Sequence, residues 1–105
     1  YGSIFENWII SEIRKNNFNR GLNDAMYYFR DSIGNEIDLI TEREGEPIAI
    51  EIKAGTKADN NMLRGLKYWQ KLQSKSNCIL INGGSKHVMI SETMNVLPWT
   101  EVVNI

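Results

Sequence analysis

Three residues have the side chains that hydrolysis assisted by a divalent cation requires: Asp38, Glu51 and Lys53. Two carboxylates offer the hard oxygen ligands that Mg²⁺ takes, typically one or two per ion, with several waters kept for a substrate phosphate. An ion so held polarises a phosphoryl oxygen and lowers the pKa of a bound water. An ammonium beside it orients that water or stabilises charge developing on the phosphate. A further carboxylate, Glu6, stands in the first amphipathic segment and is placed to complete the shell.

These residues need a sheet to bring them together. Glu36 to Glu44 alternates and reads as a strand, and Ile48 to Ala54 reads as the next, joined tightly through Glu44-Gly45-Glu46-Pro47. Period two puts Glu36, Asp38 and Ile40 on one face and Ile37 and Leu39 on the other. In the second strand Glu51 and Lys53 share a face, opposed by Ile48, Ile50, Ile52 and Ala54. A two-residue loop at Gly45-Glu46 predicts Asp38 directly across from Lys53 and diagonal to Glu51. Opposite Cβ atoms lie about 5 Å apart and diagonal ones about 7–8 Å, near enough for the two carboxylates to share one ion. A one-residue slip in register would dissolve the set. The same residues also fit a plain cross-strand ion pair between Asp38 and Lys53, worth at most about 1 kcal/mol when exposed. Glu6 equally fits a carboxylate favoured by the dipole of its helix, and Glu36 reads as a solvated strand residue.

The remaining elements frame the hairpin. Gly2 to Lys15 carries Ile4, Phe5, Trp8, Ile9 and Ile13 on a broad apolar face and reads as a helix ended by Asn16, Asn17, Asn19 and Gly21. Ala25 to Arg30, dense in aromatics, reads as a strand, and Asp31 to Asn35 as a turn. After Gly55, Asn61 to Ser74 is a second helix with Asp59 or Asn60 as N-cap. It puts Met62, Leu66, Trp69 and Leu72 on one face. Cys78 to Ile81 is a buried strand and Lys86 to Ile90 a fifth strand, after which Val96 to Trp99 closes the domain. The order is helix, three strands, helix, two strands: an α/β sandwich with a mixed central sheet.

Composition bounds what this fold does. The chain has 105 residues, enough for one core and one domain, 1–105. Twelve Lys and Arg against thirteen Asp and Glu leave a net charge of −1, so nucleic acid can be held only by a local patch. No apolar run approaches the roughly 20 residues of a membrane helix, so no membrane contact is expected. One Cys and one His are too few for a zinc site or an internal disulfide, and the cytoplasm is the expected compartment. The chain starts at Tyr1 with no initiator Met, as expected of a fragment cut from a longer protein.

Arg64, Lys67, Lys71 and Lys75 recur at spacings of three and four along the second helix. They form either the wet face of an amphipathic helix or a track for a phosphate backbone beside the hairpin. Arg30 can reach the same face, and Lys57 lies in the loop that follows Lys53. His87 reads as inert and Cys78 as a small buried hydrophobe. Trp8, Trp69 and Trp99 read as core or interface.

Asp38 followed by Glu51-Ile52-Lys53, after a helix bearing Glu6, resembles the PD-(D/E)XK nuclease superfamily. With Phe5-Glu6-Asn7, Tyr28-Phe29-Arg30, Glu36-Ile37-Asp38 and Ala54-Gly55, the chain is similar, from Gly2 to about Leu97, to the nuclease-like C-terminal domain of bacterial and archaeal AAA-type ATPases, a domain of unknown function. The resemblance implies a restriction-endonuclease-like sandwich. It implies Mg²⁺ or Mn²⁺ held by Asp38, Glu51, Glu6 and the Ile52 carbonyl, with Lys53 as the catalytic lysine. It also implies that Gln70 helps position the scissile strand, and that DNA and the N-terminal ATPase domain of the same parent chain are partners. Ile37 stands where many members have proline. No G-x-x-x-x-G-K-[ST] occurs, so this chain should not hydrolyse ATP. The competing reading is a non-catalytic module that docks DNA or protein for that ATPase.

Overall fold

The central hairpin is pinned by its turn. Glu44 and Gly45 both have positive φ, 56° and 81°, the pairing of a two-residue type I′ connection whose twist matches that of the strands it joins. It links β2 (Glu36–Arg43) to β3 (Glu46–Lys53), with Arg43 opposite Glu46 and Leu39 opposite Ile50. The loop therefore lies one residue earlier than Gly45-Glu46. The register differs by two from the sequence expectation, which leaves every residue of β3 on its expected face. Carried one step past Leu39–Ile50, the same register sets Asp38 opposite Glu51, not Lys53.

The structure is a computed structural model and describes residues 2–21 and 26–105. Its elements run α1 (Gly2–Asn19), β1 (Tyr27–Arg30), β2, β3, α2 (Arg64–Leu72), β4 (Asn77–Asn82), β5 (Val88–Ser91), β6 (Met94–Pro98) and a closing 3₁₀ helix (Trp99–Asn104). The sheet is six-stranded and mixed, in the order β1-β2-β3-β4-β6-β5. The sequence reading expected five strands. The additional one, β6, inserts between β4 and β5, parallel to β4 and antiparallel to β5. Ala25, assigned to the first strand from sequence, lies outside the described residues. Among the described residues no helix is long and apolar enough to cross a membrane.

Two apolar layers sandwich the sheet. On one side Ile9 and Ile13 of α1 and Val102 of the 3₁₀ helix pack on Leu39, Ile48, Ile50, Ile52 and Ile81. On the other, Leu63 and Leu66 pack on Ile37, Ile40, Ala49, Leu80 and Val96. Each of these Val, Leu and Ile side chains, once buried, contributes about 1.5–3 kcal/mol. α1 continues through the asparagines expected to end it. Asn17 extends the four-residue stripe of Ile9 and Ile13 and is 1% exposed, its carbonyl accepting from Arg43 Nη2 at 3.3 Å. Asn16 Nδ2 donates to Val103 O at 2.9 Å. Tertiary bonding overrides the weak helix propensity of asparagine here.

α2 is shorter than Asn61 to Ser74. Asp59 does not cap it; its carboxylate accepts from the Met62 amide at 3.0 Å in a turn that precedes the helix. Leu63 holds the N-cap position without a side-chain cap.

Candidate functional site

β2 is interrupted where it matters. Against β1, Tyr27 faces Ile40 while Phe29 faces Ile37, so two residues, Asp38 and Leu39, oppose the single Tyr28. This is a β-bulge, a device that re-aims side chains and recurs beside active sites. Strict alternation puts Ile37 and Leu39 on one face. The bulge instead sends Ile37 to the α2 side and Leu39 to the α1 side. Asp38 sits in the bulge, and its Oδ2 accepts the backbone N–H of Ile52 at 2.8 Å. A carboxylate thus takes the place of a ladder carbonyl and is locked against β3.

Glu51 faces Asp38 from β3 and is only 7% exposed. Burial, and then a hydrogen bond to and repulsion from the Asp38 carboxylate, push the Glu51 carboxyl up to about 9; Lys53 opposes the shift. Two carboxyl groups sharing a site cannot both ionise at low cost, so one holds a proton unless a cation arrives. Glu6, half-buried on α1, has its pKa raised by burial first and by the Asp38 charge second, with Lys53 again opposing. Among the described residues no three His, Cys, Asp or Glu side chains converge as one ligand group. Glu6 thus lies within electrostatic reach of Asp38 and Lys53.

Asp38, Glu51 and Lys53 open together into a cleft of about 180 Å³, shared with Glu36, Arg64 and Gly65. Gly65 explains how α2 comes so near. A Cβ there would lie 2.6 Å from the Glu36 carbonyl oxygen and 3.6 Å from Glu51 Oε2, so only glycine lets the helix start rest on the hairpin. The sequence did carry this signal, as a glycine just inside a helical segment. Glu36, read as merely solvated, lines the cleft and pairs with Arg30 Nε at 3.2 Å, both largely exposed.

The other expected residues divide. Arg64 borders the cleft. Lys67 is exposed and donates to Asn60 Oδ1 at 3.3 Å; Lys71 is exposed in the last turn of α2 and Lys57 in the loop after β3. Gln70 is not at the cleft. Its amide donates to Thr93 Oγ1 at 2.8 Å and lies close to the backbone of Ser76 at the amino end of β4, the opposite edge of the parallel strands. Five residues, about one and a half helical turns, separate it from Gly65 and put it on the far side of the helix start, which is why helix membership alone misplaced it. His87 bonds Asn95 Oδ1 at 3.0 Å, and burial pushes the Cys78 thiol up to about 11, so it is no nucleophile.

The donor set, two carboxylates in mutual contact beside an ammonium, suits a small hard cation, whose charge would offset the burial and the repulsion that raise the Glu51 pKa. The family description "Domain of unknown function (DUF4143)" matches residues 1–102. The chain belongs to the DUF4143 family. Comparison with curated proteins and with solved structures gave no match.

Proposed function

We propose that this DUF4143 domain is a divalent-cation-dependent phosphodiesterase of the PD-(D/E)XK type that acts on DNA in the service of an AAA-type ATPase in the same parent chain. The observation that carries it is the convergence of Asp38, Glu51 and Lys53 on one cleft, produced by a bulge that turns Asp38 toward β3. The helix–three strands–helix beginning and the mixed sheet agree with a restriction-endonuclease-like core. Asp38 and Glu51 would hold Mg²⁺ or Mn²⁺, which supplies Lewis-acid polarisation and an acidified water when bound. Lys53, exposed at the rim, would hold a phosphate oxygen and stabilise its charge. Arg64 adds a second cation at the same mouth.

A docking module for DNA or protein is the second reading. It is favoured by the exposed Arg64, Lys67 and Lys71 along α2. A Mn²⁺ titration of the chain, wild type beside Glu51→Ala, read by paramagnetic broadening of backbone amides, separates the two. Broadening centred on Asp38 and Ile52 and lost in the variant supports the hydrolytic site. Uniform broadening in both proteins removes it and leaves docking.

A further inference from the structure

The parallel strands β3, β4 and β6 end on one edge of the sheet, and ligands of open α/β sheets bind in the crevice outside such carboxyl ends. The residues just beyond these ends, Ala54 and Thr56 after β3, Gly83 after β4 and Trp99 after β6, line a cleft of about 480 Å³ that Phe5 and Trp8 of α1 close from the side. That volume falls within the range of small-molecule pockets, about 300–1,000 Å³. Its walls are aromatic and accessible. Trp8 is 43% and Trp99 40% exposed, and their rings meet edge-to-face with centroids 5.8 Å apart, forming a corner open to solvent. At its floor the ends of β3 and β4 pack tightly together, since a Cβ on Gly83 would lie 2.5 Å from the Ala54 carbonyl oxygen.

The position of this corner relative to the carboxylate cleft decides what it fits. Lys53, the last residue of β3, borders the carboxylate cleft on the α2 side and the next residue, Ala54, borders the aromatic cleft on the α1 side, so the two clefts meet across the end of β3. Lys53 and Lys57, both exposed, bracket Ala54 and Thr56. Beyond Thr56 a more polar cleft of about 360 Å³ contains Lys86. Flat aromatic walls flanked by ammonium groups match a nucleotide strand, which has a π-face on every base and a charge on every phosphate. A duplex keeps its bases stacked inside and cannot offer one to this corner without unpairing it.

We propose that the Trp8–Trp99 cleft binds an unstacked nucleobase, and that the polymer engaged is single-stranded or frayed DNA whose adjoining phosphate lies at Lys53. The choice of polymer rests on the phosphodiesterase reading; the stacking itself does not. The test is a fluorescence titration of the chain in EDTA with a short oligothymidylate, an abasic strand of equal charge, and a duplex of equal length. Stacking of one base predicts that the oligothymidylate binds about 5- to 150-fold more tightly than the abasic strand. Trp8→Leu and Trp99→Leu should each bring that ratio toward unity, whereas Trp8→Phe should keep most of it, with circular dichroism verifying that all three fold. Equal binding of the abasic strand, or a ratio that survives both leucine variants, overturns the proposal and leaves the apolar walls to a protein contact. Mn²⁺ broadening at Asp38 and Ile52 is independent of these variants. Base preference without broadening would sink the hydrolytic reading alone, and broadening without base preference would sink this one alone.

Discussion

Replacing Glu51 with glutamine should stabilise the metal-free domain above neutral pH. The wild-type carboxyl ionises near its ordinary value, 4.5, in the unfolded chain and at about 9 in the folded one. Between those values the folded state holds a proton that the unfolded state has released, so stability is fully present below the lower value and drains away as pH rises through the upper. Each unit of that gap corresponds to 1.36 kcal/mol, an upper bound that solvent reaching the cleft reduces to about 1–3 kcal/mol over the window. Glutamine has no such proton to lose, and its amide can donate to Asp38 as the protonated carboxyl does. Urea unfolding followed by tryptophan fluorescence in EDTA, at several pH values from mildly acidic to about 9, measures the difference directly. Wild type should weaken relative to Glu51→Gln across the series. A cation that binds only the folded carboxylates should restore wild type by about 1.4 kcal/mol at a tenfold excess over its Kd and leave the variant unmoved. Two parallel stability–pH curves, or equal gains from Mn²⁺ in both proteins, would refute the shared-proton account of the pair.

Other consequences are open to measurement. Lys53→Met should leave the unfolding midpoint within about 0.5 kcal/mol of wild type, since the side chain is exposed, while lowering any Mn²⁺-dependent cleavage about 10²–10³-fold. Gly65→Ala should cost about 1–3 kcal/mol in a denaturant melt by forcing α2 off the Glu36 carbonyl, and should weaken Mn²⁺ binding at Glu51 as well. If DNA crosses the carboxylate cleft, Arg64→Ala should reduce the slope of log affinity against log salt by about one, and Lys71→Ala, in the last turn of α2, should change it little.

Patterning exposed the hairpin because Ile48, Ile50 and Ile52 alternate with the smaller or charged Ala49, Glu51 and Lys53, although both faces of the strand are buried from Ile48 to Ile52. The same rule failed at Ile37 because a bulge adds a residue without any signature in composition; it is set by what β1 can pair with. β6 was hidden for a related reason. Met94-Asn95-Val96-Leu97-Pro98 is short and ends in proline, and its strand state comes from pairing on both sides, with β4 and β5. Asp38, Glu51 and Lys53 were legible as a group since faces survive a two-residue shift of register. Gln70 was not, because its partners Ser76 and Thr93 lie in segments that only the folded sheet brings beside it. Trp8 and Trp99 were read by residue type as core or interface; which of the two depends on the strand ends that surround them and leave them exposed.

The Glu44-Gly45 turn lies at the far end of the hairpin from the cleft, yet it sets the phase with which β3 meets β2. The domain should therefore tolerate replacements at these two positions far better than changes in their number. Asn at position 44 keeps the left-handed backbone and the phase together. One codon inserted or deleted there leaves every side chain in the cleft chemically intact, yet carries Glu51 to the side of the sheet that Ile50 and Ile52 now occupy, among the aliphatic side chains of α1. A reading-frame-preserving indel at this distant turn would in that sense be a mutation of the cleft.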